Sequence, residues 1–108
     1  MNDRANATHE MVRRAYALDW FRNEMSKKLT KRIERGDWTK FSIEALNCMM
    51  HEEDEELMDE LRNPRKDIAS YERIIGECVD VANYAMMQAD VARKKIKEMK
   101  DESSRISG

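Results

Sequence analysis

The chain contains few of the residues that form tight turns. One proline and three glycines occur among its 108 residues. Sandwiches, barrels and doubly wound sheets need many short connections rich in these residues, so their scarcity argues against all three and favours a few long helices. We therefore expect an all-α fold.

Long apolar runs and cysteine clusters are also missing. No apolar run approaches the roughly 20 residues that span a bilayer, and the charged segment 1–14 lacks the apolar stretch of a signal peptide. Cys48 and Cys78 stand apart, without the neighbouring Cys or His residues of a structural zinc site. These features predict a cytoplasmic protein with no membrane association, disulfide framework or structural zinc.

Strongly apolar side chains are scarce as well. Leu, Ile, Val and Phe number 18 of 108, below the roughly 20% that usually accompanies a packed core, although nine Met residues partly fill the gap. Three helices with so little apolar surface are expected to bury the rest at a subunit interface. The prediction is a long-helix bundle completed by formation of a homo-oligomer.

Charge is abundant but unevenly distributed. The 22 acids and 20 bases leave a net charge of -2, yet residues 1–40 carry +4, residues 41–80 carry -8 and residues 81–108 carry +2. A negative centre between basic arms suits cations held next to an anionic ligand.

The apolar periodicity predicts three helices: the first over about 8–35, the second from a start within 37–42 to about 62, and the third from a start within 67–70 to about 100. They form a single all-α domain spanning 8–100, and we expect flexible ends over 1–7 and 101–108.

Punctuating residues support these limits. Thr8 is a plausible N-cap for the first helix and Gly36 a C-terminal stop, and Pro64 ends the second helix because the residue before proline avoids the α region. The apolar stripe predicted for the first helix consists of Met11, Ala15, Leu18, Phe21, Met25, Leu29 and Ile33.

Two carboxylates of the second helix fall beside its apolar stripe. At about 100° per residue, Glu53 lies close to the line of Leu46 and Leu57, and Glu56 lies at the edge of that line. Being three residues apart, the two acids share a face. We expect both to point at least partly inward, where an unpaired carboxylate is costly, and the other acids of this run to be solvated.

A second acidic pair occurs on the third helix. Glu77 and Asp80 are also three residues apart, in a stretch over 74–92 that is apolar on both sides and therefore faces neighbouring helices. Two like charges about 4 Å apart repel by roughly 4 kcal/mol at an effective dielectric constant near 20. If the two pairs meet, protons or cations must supply the counter-charge.

The donor set narrows the choice of cation. Oxygen ligands without His or Cys suit Mg²⁺ or Mn²⁺, and Mg²⁺ commonly completes its coordination with water and substrate phosphates. A polyphosphate substrate is therefore expected. A di-iron carboxylate bundle is the competing site, but it uses Glu-x-x-His pairs, and neither His9 nor His51 is placed in one.

These acids lie in two motifs with a known parallel. Residues 52–57, EEDEEL, and residues 77–84, ECVDVANY, resemble the EExxEL and ExxDxxxY signature of the MazG-like, all-α nucleoside triphosphate pyrophosphohydrolases. Twenty residues separate Glu56 from Glu77, and the resemblance covers roughly 37–95. It implies hydrolysis of a nucleoside triphosphate between its α and β phosphates, which yields a monophosphate and pyrophosphate.

The resemblance also implies roles for individual residues. Glu53, Glu56, Glu77 and Asp80 match the metal ligands of the family, with Mg²⁺ as the expected cofactor and Mn²⁺ as a possible substitute. We expect Glu53 to act as the general base as well. The family resemblance further favours a dimer or a tetramer made of two dimers.

Four residues are candidates for binding the substrate. Tyr84 matches a family tyrosine that contacts the nucleotide, and Asn83 beside it is a weaker candidate. Lys94 lies within about 40° of the direction of Asp80 on the third helix and could bind phosphate. Trp38 could stack on the base, because the nucleobase pocket of the family is often aromatic.

Two alternatives compete with this hypothesis. A non-catalytic helical interaction module could bind nucleic acid through residues 27–35, KKLTKRIER, although two inward-facing acid pairs make nucleic acid an unlikely partner. A phosphoribosyl-ATP pyrophosphohydrolase has a similar acid layout, but the Tyr-His ending of its second motif is missing here.

Overall fold

Three helices form the protein, as the computed structural model shows for residues 3–33 and 36–107. The helices are α1 (Asp3–Lys31), α2 (Ile43–Arg62) and α3 (Ile68–Ser107), and a short 3-10 helix (Trp38–Lys40) lies between α1 and α2. Helix α1 has 29 residues, α2 has 20 and α3 has 40. The described residues form no strand, which confirms the all-α prediction.

The first helix begins earlier than predicted. The Thr8 hydroxyl donates to the Arg4 carbonyl at 2.9 Å, a bond typical of a threonine inside a helix, so the prediction of Thr8 as the N-cap is wrong. Helix α1 ends at Lys31, and Arg35, the predicted end, lies outside the described residues.

The third helix continues beyond its predicted end. It extends to Ser107, seven residues past Lys100. Segments 3–7 and 101–107 are therefore helical, and each adds about two turns or less to the helix it continues.

Helix α2 starts and stops where its sequence predicts. The Ser42 side chain accepts a hydrogen bond from the Ala45 N–H at 3.1 Å, and Asn63, the residue before the proline, has the extended dihedrals φ -63° and ψ 120°. The Lys66 ammonium donates to the carbonyls of Glu60 and Leu61 in the last turn of the helix, and the Asn63 N–H also donates to the Glu60 carbonyl.

Helix α3 starts with a reciprocal cap. The Asp67 carboxylate accepts from the Ser70 N–H at 2.9 Å, and the Asp67 N–H donates to the Ser70 hydroxyl at 2.9 Å. Ser70 is fully buried, so these bonds also satisfy its polar groups away from solvent.

A narrow apolar core joins α2 to α3. Leu46 from α2 packs with Tyr84, Met87 and Val91 from α3, while Val79 is buried one turn before Asn83 on the same line of α3. These five apolar residues are the buried ones in the described part of the chain. The expectation of a thin core is confirmed.

Helix α1 is mostly uncovered. It packs on α3 near its C-terminal end, but every residue from 11 to 20 is exposed, and no residue of α1 is buried. Met11 and Leu18 are 69% and 71% exposed, so the N-terminal half of the predicted stripe is not covered within one chain. The radius of gyration is 18.9 Å, against about 13 Å for a compact domain of this length.

None of the helices in 3–33 and 36–107 is long and apolar enough to cross a membrane.

Gly36 has a backbone conformation that only glycine adopts freely. Its φ is +87°, and a Cβ there would meet no atom within 4 Å, so any cost of substitution comes from the backbone. We expect Gly36→Ala to lower the free energy of unfolding by about 1–2 kcal/mol and Gly36→Asn to lower it less, as measured by chemical denaturation. Equal stability of all three proteins would contradict this prediction.

Candidate functional site

Three predicted carboxylates meet between α2 and α3. One oxygen each from Glu53, Glu56 and Glu77 lies within 4.8 Å of the other two. Glu53 and Glu77 are half-buried, whereas Glu56 is exposed, although one of its carboxyl oxygens lies close to those of the other two. The three side chains, called the carboxylate cluster below, form a shallow acidic site that opens to solvent on the Glu56 side.

The cluster perturbs its own ionisation. Burial, contact with the Glu56 carboxyl and the charge of Asp80 raise the pKa of Glu53 from 4.5 to about 7. Burial and the Glu56 carboxyl also raise the pKa of Glu77. The site therefore carries more negative charge than its surroundings neutralise.

One oxygen of Glu77 is left without a donor. Its Oε2 is buried and has no hydrogen-bond partner among the described residues. Glu56 is itself a carboxyl group, so it can bond to Glu77 only when one of the two is protonated. An ionised Glu77 consequently needs a cation or a proton at this oxygen.

The fourth predicted ligand, Asp80, is paired with a lysine. The Lys28 ammonium donates to Asp80 Oδ1 at 3.1 Å and to Oδ2 at 3.0 Å, and to the Gly76 carbonyl at 3.4 Å. Asp80 remains close enough to the cluster for its charge to raise the pKa values of Glu53 and Glu77. It therefore borders the cluster, with Lys28 as its present counter-charge.

A second cation directly follows α1, four residues after Lys28. The Arg32 guanidinium donates to the Tyr84 hydroxyl at 2.6 Å, and its central carbon lies 4.8 Å from the centre of the Tyr84 ring. Lys28 and Arg32 are four residues apart, as are Asp80 and Tyr84. Two parallel contacts thus connect the end of α1 to the middle of α3.

A large cavity adjoins the cluster. Its volume is about 750 Å³, and the side chains lining it include Trp38, Phe41, Met49, Tyr84 and Arg32. Met49 is four residues before Glu53 on α2, and Tyr84 is four residues after Asp80 on α3. Since four helical residues rise about 6 Å, the cavity begins one turn from the carboxylates.

Trp38 is held in the wall of this cavity. Its indole N–H donates to the Asp90 carboxylate at 3.0 Å, and Arg93 donates to the other oxygen of Asp90. The bonds from Arg93 and Trp38 lower the pKa of Asp90, which keeps the carboxylate ionised as an acceptor for the indole. The ring is therefore positioned by polar contacts in addition to apolar packing.

The other two substrate-binding candidates lie away from the cavity lining. Asn83 is buried, and its amide donates to the Met25 carbonyl of α1 at 3.3 Å. Lys94 is exposed. Hydrogen bonds from Thr39 lower the pKa of Asp37, which lines the cavity, and the charge of Lys94 lowers it by a smaller amount. Their roles in substrate binding stay predictions.

Sequence reasoning missed the positions of Lys28 and Arg32. Both belong to the basic end of the first helix, where a helix dipole and solvent explain cations adequately. The available signal was the matching four-residue spacing of Asp80 and Tyr84, which presents an anion and an aromatic ring to a neighbouring helix at the same interval.

Comparison with protein-family models, curated proteins and solved structures gives no match for this chain. The MazG-like resemblance accordingly rests on residues 52–57 and 77–84 and stays a prediction. The geometry of the carboxylate cluster and of the cavity is independent of it.

The raised pKa of Glu53 predicts a pH-dependent stability in the presence of a chelator. The unfolded carboxyl titrates near 4.5 and the folded one near 7, so folding favours the protonated form and stability falls as pH rises across this interval. Glu53→Gln removes the effect and should raise the melting temperature at pH 8 by about 4 °C.

Glu52→Gln is the matched control, because Glu52 is an exposed neighbour on the same helix. Its melting curve should follow the wild type at each pH. A wild-type melting temperature that stays level between pH 4.5 and pH 8 would contradict the account of the cluster.

Proposed function

We propose that the protein is a divalent-cation-dependent nucleoside triphosphate pyrophosphohydrolase, which cleaves an NTP or dNTP between the α and β phosphates to a monophosphate and pyrophosphate. The observation that carries this proposal is a carboxylate cluster one helical turn from an aromatic-lined cavity, with the cations Lys28 and Arg32 bonded to Asp80 and Tyr84 beside them. A nucleoside triphosphate has the complementary parts: a planar base, and phosphates that bind both metal ions and cations.

The ligand chemistry of the cluster suits Mg²⁺, with Mn²⁺ as a substitute. Glu53, Glu56 and Glu77 offer oxygen atoms alone, Glu77 Oε2 lacks a donor, and Asp80 borders the group. These four residues would hold the metal. When bound, it would neutralise charge on the phosphate oxygens and make a nearby water more acidic.

Glu53 is the protein group best suited to accept a proton from the attacking water. Burial and its carboxyl neighbours make it more basic than an ordinary glutamate, with a pKa of about 7 in the metal-free protein. A bound divalent cation would lower this pKa, so the role of Glu53 as base rests on its position beside the metal and not on the metal-free value. Its half-buried position also restricts the number of waters that it contacts.

The cavity would take the nucleoside. A volume of about 750 Å³ lies within the usual range of small-molecule sites, and Tyr84 and Trp38 offer aromatic surface for a base. Arg32 lines the cavity and bonds to Tyr84, one turn from Asp80, so it could contact the phosphates of such a ligand. Asn83 and Lys94 are kept as further proposed contacts on the strength of the resemblance and of helix direction.

The oligomeric state and the compartment belong to the same proposal. Exposed apolar side chains on residues 11–20 and the large radius of gyration favour a homo-oligomer, a dimer or a tetramer of two dimers, in which α1 is covered. A cytoplasmic location agrees with the two free cysteines, Cys48 and Cys78.

The nucleic-acid alternative is weakened by three contacts of the basic stretch. Lys28 and Arg32 of the basic stretch face α3, and Lys27 pairs with Glu24 at 3.1 Å. The described part of this stretch therefore offers little free positive charge for a phosphate backbone.

The activity can be tested with a panel of ribo-, deoxy- and modified triphosphates in Mg²⁺, monitored by pyrophosphate release. We expect the wild type to hydrolyse at least one of them, and Glu53→Gln and Asp80→Asn each to lower kcat by at least about a hundredfold, because altered metal surroundings alone cost 10- to 100-fold. Circular dichroism should show all proteins folded.

Glu52→Gln again serves as the control and should retain wild-type activity. Activity that survives in both Glu53→Gln and Asp80→Asn would contradict the assignment. Release of inorganic phosphate without pyrophosphate would show a different bond to be cleaved.

A further inference from the structure

Lys28 is the charged contact between α1 and the acidic face of α3. Its side chain is 39% exposed and that of Asp80 is 22% exposed, and both carboxylate oxygens of Asp80 accept from the ammonium. The contact connects residues 52 positions apart, so it also ties the first helix to the site.

The same ammonium group acts on the carboxylate cluster. Burial and the neighbouring carboxyl groups raise the pKa of Glu77, and the positive charge of Lys28 lowers it by a smaller amount. A lysine has a compact charge on a flexible four-carbon stem, and so it can change partners without moving its helix. Lys28 therefore occupies the position of a counter-ion to the acids.

A divalent cation and this ammonium group compete for one carboxylate. Both are positive, and a metal ligated by Asp80 would lie within a few ångströms of Lys28, where like charges repel. Arg32, which follows α1 four residues after Lys28, borders the cavity proposed for the nucleoside. Phosphates bound near Arg32 would give the ammonium group of Lys28 an alternative partner to Asp80. Phosphates that run from the cluster to the cavity would pass Lys28.

We propose that Lys28 is an exchangeable counter-ion of the site: it holds Asp80 while no metal is bound, and it binds the substrate's phosphate oxygens once the metal takes Asp80. This inference rests on the proposed function for the metal and for the phosphate-bearing substrate. Removal of the Lys28 charge would then strengthen metal binding and weaken phosphate binding.

The test uses Lys28→Met, which keeps most of the apolar stem and removes the charge, with Lys27→Met as the matched control. Lys27 is the adjacent residue of α1 and pairs with Glu24 on the same helix. Affinity for Mn²⁺ alone is measured by electron paramagnetic resonance titration. Affinity for inorganic triphosphate at saturating Mn²⁺ is measured by calorimetry.

We expect Lys28→Met to bind Mn²⁺ at least about fivefold more tightly than the wild type, because a competing charge is gone. The same variant should bind inorganic triphosphate at least about tenfold more weakly, because a phosphate contact is lost. Lys27→Met should match the wild type in both, and Lys28→Arg should keep Mn²⁺ affinity closer to the wild type than Lys28→Met does. A purely structural role would weaken both ligands together.

Unchanged or weaker Mn²⁺ binding by Lys28→Met overturns the exchange, and so does unchanged triphosphate binding. Should Lys28→Met fold poorly, Lys28→Gln supplies the same comparison with a polar stem. Failure of the proposed function is distinguishable: a wild type that binds Mn²⁺ and triphosphate but releases no pyrophosphate would refute the activity and leave the two binding measurements to decide the role of Lys28.

Discussion

Repulsion among the carboxyl groups that α2 and α3 bring together governs the rest of this structure. Glu53, Glu56 and Glu77 meet within 4.8 Å, and Asp80 adds its charge from the next turn. A packed apolar pair at the same place would stabilise the chain more. The arrangement is understandable if a cation belongs there, because the metal-binding free energy then offsets the repulsion.

The helices around the cluster meet this electrostatic demand in different ways. A small core joins α2 to α3, and caps at Ser42 and Asp67 fix where the two helices begin, so the acids are held together even without a counter-ion. Helix α1 is exposed over residues 11–20, and its C-terminal end packs on α3 through Leu29 and the bond from Asn83 to the Met25 carbonyl. The Lys28–Asp80 pair adds a charge contact to this link, so the contact of α1 with α3 depends in part on what occupies the site.

The sequence predicted the features that follow from helical periodicity. Glu53 and Glu77 could be placed because each falls beside an apolar stripe, and the short connection after Pro64 makes α2 and α3 neighbours. The exposure of Glu56 was harder to predict, because it lies at the stripe's edge, where a few degrees of rotation decide exposure. The pairing of Lys28 with Asp80 could not be predicted, since periodicity orients a helix but does not set its register against another.

Binding of a divalent cation by the carboxylate cluster is the central proposal, and anomalous X-ray diffraction from a crystal soaked in Mn²⁺ tests it most directly. We expect an anomalous peak within coordinating distance, about 2.2 Å, of oxygens from Glu53, Glu56 and Glu77, with Lys28 displaced from Asp80. Ordered carboxylates with no peak among them at saturating Mn²⁺, and Lys28 still bonded to Asp80, would contradict it.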